Sequence, residues 1–281
     1  MAAPETRSHA TDALISSLRP CLVAVIGDVM LDRYVRGGVG RLSPEAPIQV
    51  LEVRQEDRML GGAANVAHKV VGLGSKVTLV GLVGEDSDAE EFRTLIAGSS
   101  GITPRFVADP SRPTTVKTRF IAQNQQLLRV DREVRGMPSE ATQVRLAEAA
   151  FQAASEADAV ILEDYGKGVL SARVIAAAIE GAKSRNLPIV VDPNGRDYRR
   201  YAGATVLTPN VKEAEIAAEM PITDDASLSD AALRLVDQTR AALAITRDSR
   251  GISLFRREGN ARWLTRGADR RRHGDPWLRE R

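Results

Sequence analysis

A chain of 281 residues, 43% hydrophobic and 27% charged, can bury one large α/β core or two small ones, which excludes a disordered or fibrous protein. Its formal net charge of +2 is unevenly spread: nine arginines against four acids give residues 256–281 a charge of +5, leaving −3 for residues 1–255. A basic tail without a recognisable recognition module argues against a nucleic-acid partner, and a single cysteine, Cys21, excludes an internal disulfide and a cysteine metal site.

Residues 1–20 carry Glu5, Arg7, Asp12 and Arg19 without a continuous apolar run. They are expected to form an N-terminal extension that is neither a signal peptide nor a membrane span, so the chain is read as cytoplasmic with no membrane partner.

From residue 21 onward, apolar β-branched runs alternate with helical periodicity. A buried strand is predicted over Leu22–Ile26, then a β-rich region over 34–53, a helix over Ala63–Leu73 and a strand over Val77–Val83. There follow a helix over Ala89–Ile96, a second β-rich region over 114–131, a helix over Ser139–Ala154, a strand over Ala159–Leu162 and a helix over Ser171–Arg185. The last third predicts strands at Pro188–Val191, Thr205–Leu207, Ala242–Thr246 and Ile252–Phe255, with helices at Val211–Glu219 and Ser227–Arg240. Such alternation points to a mostly parallel sheet covered by helices on both faces. The two β-rich regions carry Arg, Gln and Asn at intervals that a doubly buried strand would not tolerate, and predict a small half-exposed β-layer placed as a lid.

Candidate site residues cluster at strand exits, where open α/β sheets bind ligands. Gly61-Gly62-Ala63-Ala64-Asn65 puts side-chain-free backbone and a polar amide at a helix start, as a small-molecule site requires. Asp28 follows the first strand and can accept hydroxyl hydrogen bonds or cap a turn. Glu163-Asp164-Tyr165-Gly166-Lys167 follows another strand and reads either as a sugar-phosphate contact or as a solvated turn. Asn210-Val211-Lys212-Glu213 reads as a capping box or as a nucleotide and magnesium contact, with Glu213 nearest the metal. Thr246 and Arg247, followed by Gly251, can meet phosphate, against the alternative of a surface turn.

Joined together, these pieces resemble the ribokinase-like sugar kinases and, within them, the heptose 7-phosphate kinases that form the first domain of bifunctional ADP-heptose enzymes. The narrower resemblance rests on Gly27-Asp28-Val29-Met30-Leu31-Asp32-Arg33-Tyr34, on Arg41-Leu42-Ser43-Pro44-Glu45-Ala46-Pro47 and on Asn124-Gln125-Gln126-Leu127-Leu128-Arg129-Val130-Asp131. It implies a three-layer α/β/α sandwich over residues 21–255, with a β-lid from 34–53 and 114–131 that also serves a homodimer. It implies transfer of a phosphoryl group from ATP, with Mg2+, to O1 of D-glycero-D-manno-heptose 7-phosphate, in lipopolysaccharide core biosynthesis. Carried over residue by residue, Asp28, Gly61, Gly62, Asn65, Lys117, Arg129 and Asp164 are the implied sugar contacts. Asn210 to Glu213, with Thr246, Arg247 and Gly251, are the implied nucleotide contacts.

One part of the pattern departs. The family's second signature, Asp-x-Thr-Gly-Ala-Gly-Asp, supplies the phosphoryl-stabilising amides and the proton-accepting Asp; neither Arg266-Gly267-Ala268-Asp269 nor His273-Gly274-Asp275 matches it. No catalytic residue is therefore assigned, residues 256–281 are expected to be an atypical basic tail, and a change of reading frame near Thr265 is one explanation. The rival expectations are a binding protein without turnover and a kinase for another sugar.

Overall fold

The computed structural model describes residues 16–258 and 261–265. The chain divides into two compact units, Met1–Leu187 and Pro188–Arg281. Most of the expected N-terminal extension and of the basic tail lies outside the described residues.

In the first unit, β1 (Leu22–Gly27), β4 (Lys76–Val83), β5 (Ile102–Ala108) and β8 (Ala159–Glu163) form a parallel sheet in the order β8-β1-β4-β5. Val25 lies opposite Leu79 on one side and Ile161 on the other. With helices on the sheet, β1 reads as an unbroken apolar run, as a strand covered on both faces must. β5 is missing from the sequence expectations because Thr103, Pro104 and Arg105 interrupt its apolar character. It is the edge strand, where a missing N–H and a charged side chain are tolerated.

Helices α1 (Ala63–Gly72), α2 (Ser87–Ala97), α3 (Glu140–Glu156) and α4 (Ala172–Lys183) complete this unit. Asp86, Ser139 and Ser171 cap α2, α3 and α4 through their side-chain oxygens, which starts α2 two residues earlier than its apolar periodicity predicts. Phe92 of α2 is fully buried against the sheet with Leu79 and Val25, and burial of each such side chain contributes about 1.5–3 kcal/mol. Where α3 and α4 pack, a Cβ on Gly181 would fall 2.6 Å from the carbonyl of Phe151. Only glycine permits that approach.

The β-rich regions form a second sheet of four strands. β2 (Val29–Leu42), β3 (Gln49–Gly62), β6 (Val116–Ala122) and β7 (Gln125–Arg132) lie in the order β3-β2-β6-β7. β2 begins directly after Asp28, earlier than expected, because Val29, Met30 and Leu31 continue the buried run before the strand leaves the core. β2 pairs antiparallel with β3 and parallel with β6, and β6 pairs antiparallel with β7. The register sets Asp32, Lys117 and Asp131 in one row, and Arg33, Thr118 and Val130 in the next. Because side chains alternate, these rows occupy opposite faces.

In the second unit, β9 (Ile189–Asp192), β10 (Val206–Leu207) and β11 (Ala242–Thr246) run parallel. β12 (Ile252–Glu258) and β13 (Ala261–Thr265) add antiparallel, so the described chain continues as a hairpin beyond Phe255. Helices α5 (Val211–Ala218) and α6 (Asp225–Thr239) each begin with a capping box. In α6 that box joins Asp224 to Ser227 and moves the start ahead of the predicted Ser227. Tyr198 and Tyr201, on a short 3-10 turn, are fully buried with their rings edge to face at 6.0 Å.

Candidate active site

In the first unit the site is built where β1 gives way to β2. Asp28 is 1% exposed, and its carboxylate accepts three backbone N–H groups of one loop. Oδ2 receives Tyr165 at 2.8 Å and Lys167 at 3.0 Å, while Oδ1 receives Val169 at 3.1 Å. Burial raises its pKa above the usual carboxylate value, and the nearby Asp164 adds to this, while the three amides work against it. Much of the acceptor capacity that the sequence suggested for hydroxyls is thus spent on shaping the loop from Asp164 to Val169. Asp164 is itself buried and accepts from Gly166 N–H at 2.8 Å.

Gly61 and Gly62 close β3 and open α1. Gly62 has φ +57°, and a Cβ there would lie 2.2 Å from the Asp28 carbonyl oxygen, which accepts Ala63 N–H at 3.0 Å. Glycine is required at this junction by geometry. Asn65 follows in the first turn of α1, half-buried.

The face of the four-stranded sheet that carries Asp32 is polar. Asp32 reaches towards Gly61, whose Cβ would meet its Oδ2 at 2.4 Å, and it accepts a hydrogen bond from Arg119 Nη1 at 2.6 Å. Arg119 also stacks 5.2 Å from the Tyr34 ring centre. Lys117 pairs with Asp131 at 3.3 Å, and Arg129 with the other oxygen of Asp131 at 2.9 Å. Burial alone would raise the Asp131 pKa; Lys117 and Arg129 outweigh it and hold that carboxyl low. Just beyond β7, Glu133 accepts from Lys167 at 2.7 Å, which ties this face to the loop that Asp28 holds. A cleft here is lined by Asp28, Val29, Arg112, Thr115, Lys167 and Val169.

The structure therefore gathers Asp28, Gly61, Gly62, Lys117, Arg129 and Asp164 into one unit and adds Asp32, Arg119 and Glu133, which sequence reasoning did not single out. Their signal was present: Asp32 and Tyr34, like Lys117 and Arg119, stand two residues apart in strands and so share a face.

The opposite face of the same sheet is fastened to α2. Arg33 pairs with Asp88 at 2.6 Å and with Glu91, Arg58 pairs with Glu91, and Arg132 pairs with Asp88 at 2.7 Å. Asp86 caps α2 and also accepts from Thr114 N–H at 3.0 Å and Thr114 Oγ1 at 2.7 Å. Burial works to raise its pKa, but the Thr114 hydroxyl and amide, with Ala89 N–H and Arg132, lower it below the ordinary value.

In the second unit, Asn210 and Glu213 form the capping box that the sequence allowed. Asn210 Oδ1 accepts Glu213 N–H at 2.9 Å, and Glu213 Oε2 accepts Asn210 N–H at 2.8 Å. Val211 and Lys212 are the first two residues of α5 between them. Asn210 also bridges to Thr246, whose N–H reaches the Pro209 carbonyl at 2.9 Å. Arg247 donates to Ser253 Oγ at 3.0 Å and pairs with Asp225, and its N–H meets the Gly251 carbonyl at 2.8 Å. Burial, with the carboxylates of Glu213 and Asp192 nearby, pushes the Tyr198 phenol far above its usual pKa.

Among the described residues no group of three His, Cys, Asp or Glu is placed to hold a metal ion. Magnesium bound with a nucleotide needs only one or two protein carboxylates, since the phosphates supply the rest. Glu213, with Oε1 outside the capping box, fits that lesser requirement. No helix among the described residues is long and apolar enough to cross a membrane.

Solved structures share the fold. Phosphofructokinase-2 from Escherichia coli, in a tetrameric inhibited form, matches with a TM-score of 0.67 at 15% identity, over 88% of this chain and 79% of that one. Arabidopsis thaliana ribokinase, complexed with ribose and ATP, matches with a TM-score of 0.62 at 18% identity, over 89% of this chain and 78% of that one. Curated relatives lie nearer in sequence. The bifunctional protein HldE of Caulobacter vibrioides is 46% identical over 236 residues, covering 83% of this chain and 48% of that protein. The HldE protein of Geobacter metallireducens is 42% identical over 249 residues, 88% of this chain and 51% of that protein. The chain thus spans about half the length of the curated relatives it matches. The model of the pfkB family carbohydrate kinases matches residues 21–267, and the chain belongs to that carbohydrate kinase family.

Proposed function

We propose that this chain is the sugar-kinase portion of an ADP-heptose-forming enzyme, taking D-glycero-D-manno-heptose 7-phosphate and ATP with Mg2+ to the 1,7-bisphosphate. The observation that carries this reading is identity of 42–46% to bifunctional HldE proteins over 83–88% of this chain.

On this reading Gly61, Gly62, Asn65, Lys117, Arg129 and Asp164 contact the sugar, joined by Asp32 on the same sheet face. Asp28 acts beside them by fixing the loop that carries Asp164. Asn210, Val211, Lys212, Thr246, Arg247 and Gly251 meet the nucleotide, and Glu213 offers its remaining oxygen towards hydrated magnesium. The four-stranded sheet acts as a lid that excludes water, and as a dimer surface: Leu42, Ile48, Leu128 and Val130 are left 47–64% exposed on it. The kinase domain is read as 21–255, with the basic stretch 256–281 after it and the reaction in the cytoplasm.

Phosphoryl transfer rests on positioning and on charge stabilisation at the transferring group. The residues named here bind and orient. The 281 residues contain no Asp-x-Thr-Gly-Ala-Gly-Asp sequence, so no side chain of this chain is assigned as the proton acceptor. That one observation favours a second reading, a binding protein for sugar phosphate and nucleotide without turnover.

Titration calorimetry with heptose 7-phosphate, fructose 6-phosphate, ribose and ADP, run beside a coupled ADP-release assay, decides between them. Preferential heptose 7-phosphate binding with ADP release supports the kinase; the same binding without release supports the second reading; binding of neither the heptose phosphate nor nucleotide refutes both.

A further inference from the structure

Arg247 stands in the second unit where β11 ends, a place from which an arginine could reach phosphate, yet its side chain is only 14% exposed. Nη1 donates to the Oγ of Ser253, a buried residue of β12, at 3.0 Å. Nη2 pairs with Asp225 in the first turn of α6, and Nε is buried without a partner. Little of the guanidinium is left to offer a ligand.

The turn that Arg247 opens needs to be held. Asp248 has φ +48° and Gly251 φ +82°, and a residue with a β-carbon stays in that left-handed region only where its surroundings enforce it. Within the turn, Arg247 N–H donates to the Gly251 carbonyl at 2.8 Å, Arg250 N–H to the Arg247 carbonyl at 2.9 Å and Gly251 N–H to the Asp248 carbonyl at 3.2 Å. The N–H groups of Asp248 and Ser249 take no part in these bonds, and successive turn amides of this kind suit an anion. On one side the bond from Thr246 N–H to the Pro209 carbonyl fastens the turn to the start of α5. On the other side packing is incomplete: a small cavity is lined by Val211, Leu228, Arg247 and Arg250. The Arg247 side chain supplies the missing tie, to α6 through Asp225 and to β12 through Ser253.

We propose that Asp225 and Ser253 are positioning residues for the nucleotide: they hold the Arg247 guanidinium, and through it the turn from Thr246 to Gly251. Neither touches the ligand. This rests on the nucleotide reading above and deepens it, because Arg247 then serves phosphate through the backbone it orients.

The test is calorimetry of ADP and of heptose 7-phosphate on the full chain, with hydrogen exchange at Arg250 and Gly251 in the ligand-free protein. Asp225 is 76% exposed, so D225N is expected to weaken ADP by only about two- to fivefold. S253A strips a buried partner from a charged donor and should cost about tenfold. Both variants should speed exchange at the two turn amides and leave heptose 7-phosphate binding as in wild type. D225E, which keeps the carboxylate, should restore ADP affinity, and D225N should have no further effect in an R247M background.

The sign of the D225N effect is decisive. An arginine side chain that itself met phosphate would be released by D225N, and ADP would bind more tightly. Unchanged or tighter ADP binding in D225N, unaltered exchange at Arg250 and Gly251, or an equal loss of heptose 7-phosphate overturns the assignment while the nucleotide reading stands. Wild-type protein that binds no ADP overturns the nucleotide reading and this assignment with it.

Discussion

Removing the charge from Asp28 tests whether this carboxylate organises the loop from Asp164 to Val169. In Asp28→Asn the side chain keeps one carbonyl oxygen, which at best retains the two N–H groups of Tyr165 and Lys167 now on Oδ2. The new amide then faces the Val169 N–H, donor against donor, and orphans it. An orphaned buried N–H costs about 1–3 kcal/mol, and each retained bond loses about 1 kcal/mol on ceasing to be charge-assisted. Relief from burying a carboxylate offsets part of this, because burial is the first cause of the raised Asp28 pKa. The net expectation is a loss of about 2 kcal/mol for Asp28→Asn, and of about 3–6 kcal/mol for Asp28→Ala, which orphans all three.

Urea unfolding measures the loss, and hydrogen exchange at Tyr165, Lys167 and Val169 locates it. The pH dependence carries a sign as well. A carboxyl whose folded pKa lies above its unfolded 3.8 contributes stability that is present below 3.8 and lost as pH rises through the folded value. Wild type should therefore gain on Asp28→Asn as pH falls towards 3.8. An Asn variant within about 0.5 kcal/mol of wild type, with the three amides equally protected, would refute the reasoning.

Gly62→Ala should destabilise by more than about 1 kcal/mol, since it meets both a positive φ and a 2.2 Å clash; an unchanged urea midpoint would count against that junction. Arg33→Met leaves the 6%-exposed Asp88 with Arg132 alone and is expected to cost about 1–3 kcal/mol, with proteolysis concentrated in β2 and β3; uniform proteolysis would argue against a fastening role. Asp86, with its folded pKa below 3.8, contributes stability present above 3.8 and lost as pH falls through the folded value, so Asp86→Asn should show a shallower acid transition than wild type by circular dichroism. Arg247→Ala should weaken ADP about tenfold in calorimetry and leave heptose 7-phosphate unchanged, and equal loss of both would place Arg247 outside the nucleotide loop.

Much of this structure was legible because its physics is local. β1 and β8 are apolar on both faces, so their runs announce a covered parallel sheet, and the glycine pair before α1 announces a backbone approach that the Asp28 carbonyl makes concrete. The Asn210–Glu213 capping box follows from three-residue spacing alone. Other features depend on partners distant in sequence. Asp28 looked like a free acceptor at a strand exit, but its donors come from a loop more than 130 residues later. Arg33 looked like an ordinary charge in a β-rich segment, yet its partners lie on α2. β5 escaped notice because an edge strand can keep a proline.

The alternation of β2 has a consequence for how its length can change. Asp32 and Arg33 are adjacent in sequence and belong to opposite faces, one towards Gly61 and the other fastened to α2. Inserting or deleting a single residue upstream of Asp32 in β2 would exchange the faces, sending the arginine into the cleft and the carboxylate against the acids of α2. Two-residue changes would preserve the faces while shifting the row. Towards the tip the pairing itself shifts register twice, between Arg36 and Gly37 and between Val39 and Arg41, so length changes near the turn from Ser43 to Ile48 can be taken up without exchanging the faces at Asp32 and Arg33. Indel scanning across this hairpin should therefore show intolerance with a period of two near its base and tolerance at its tip.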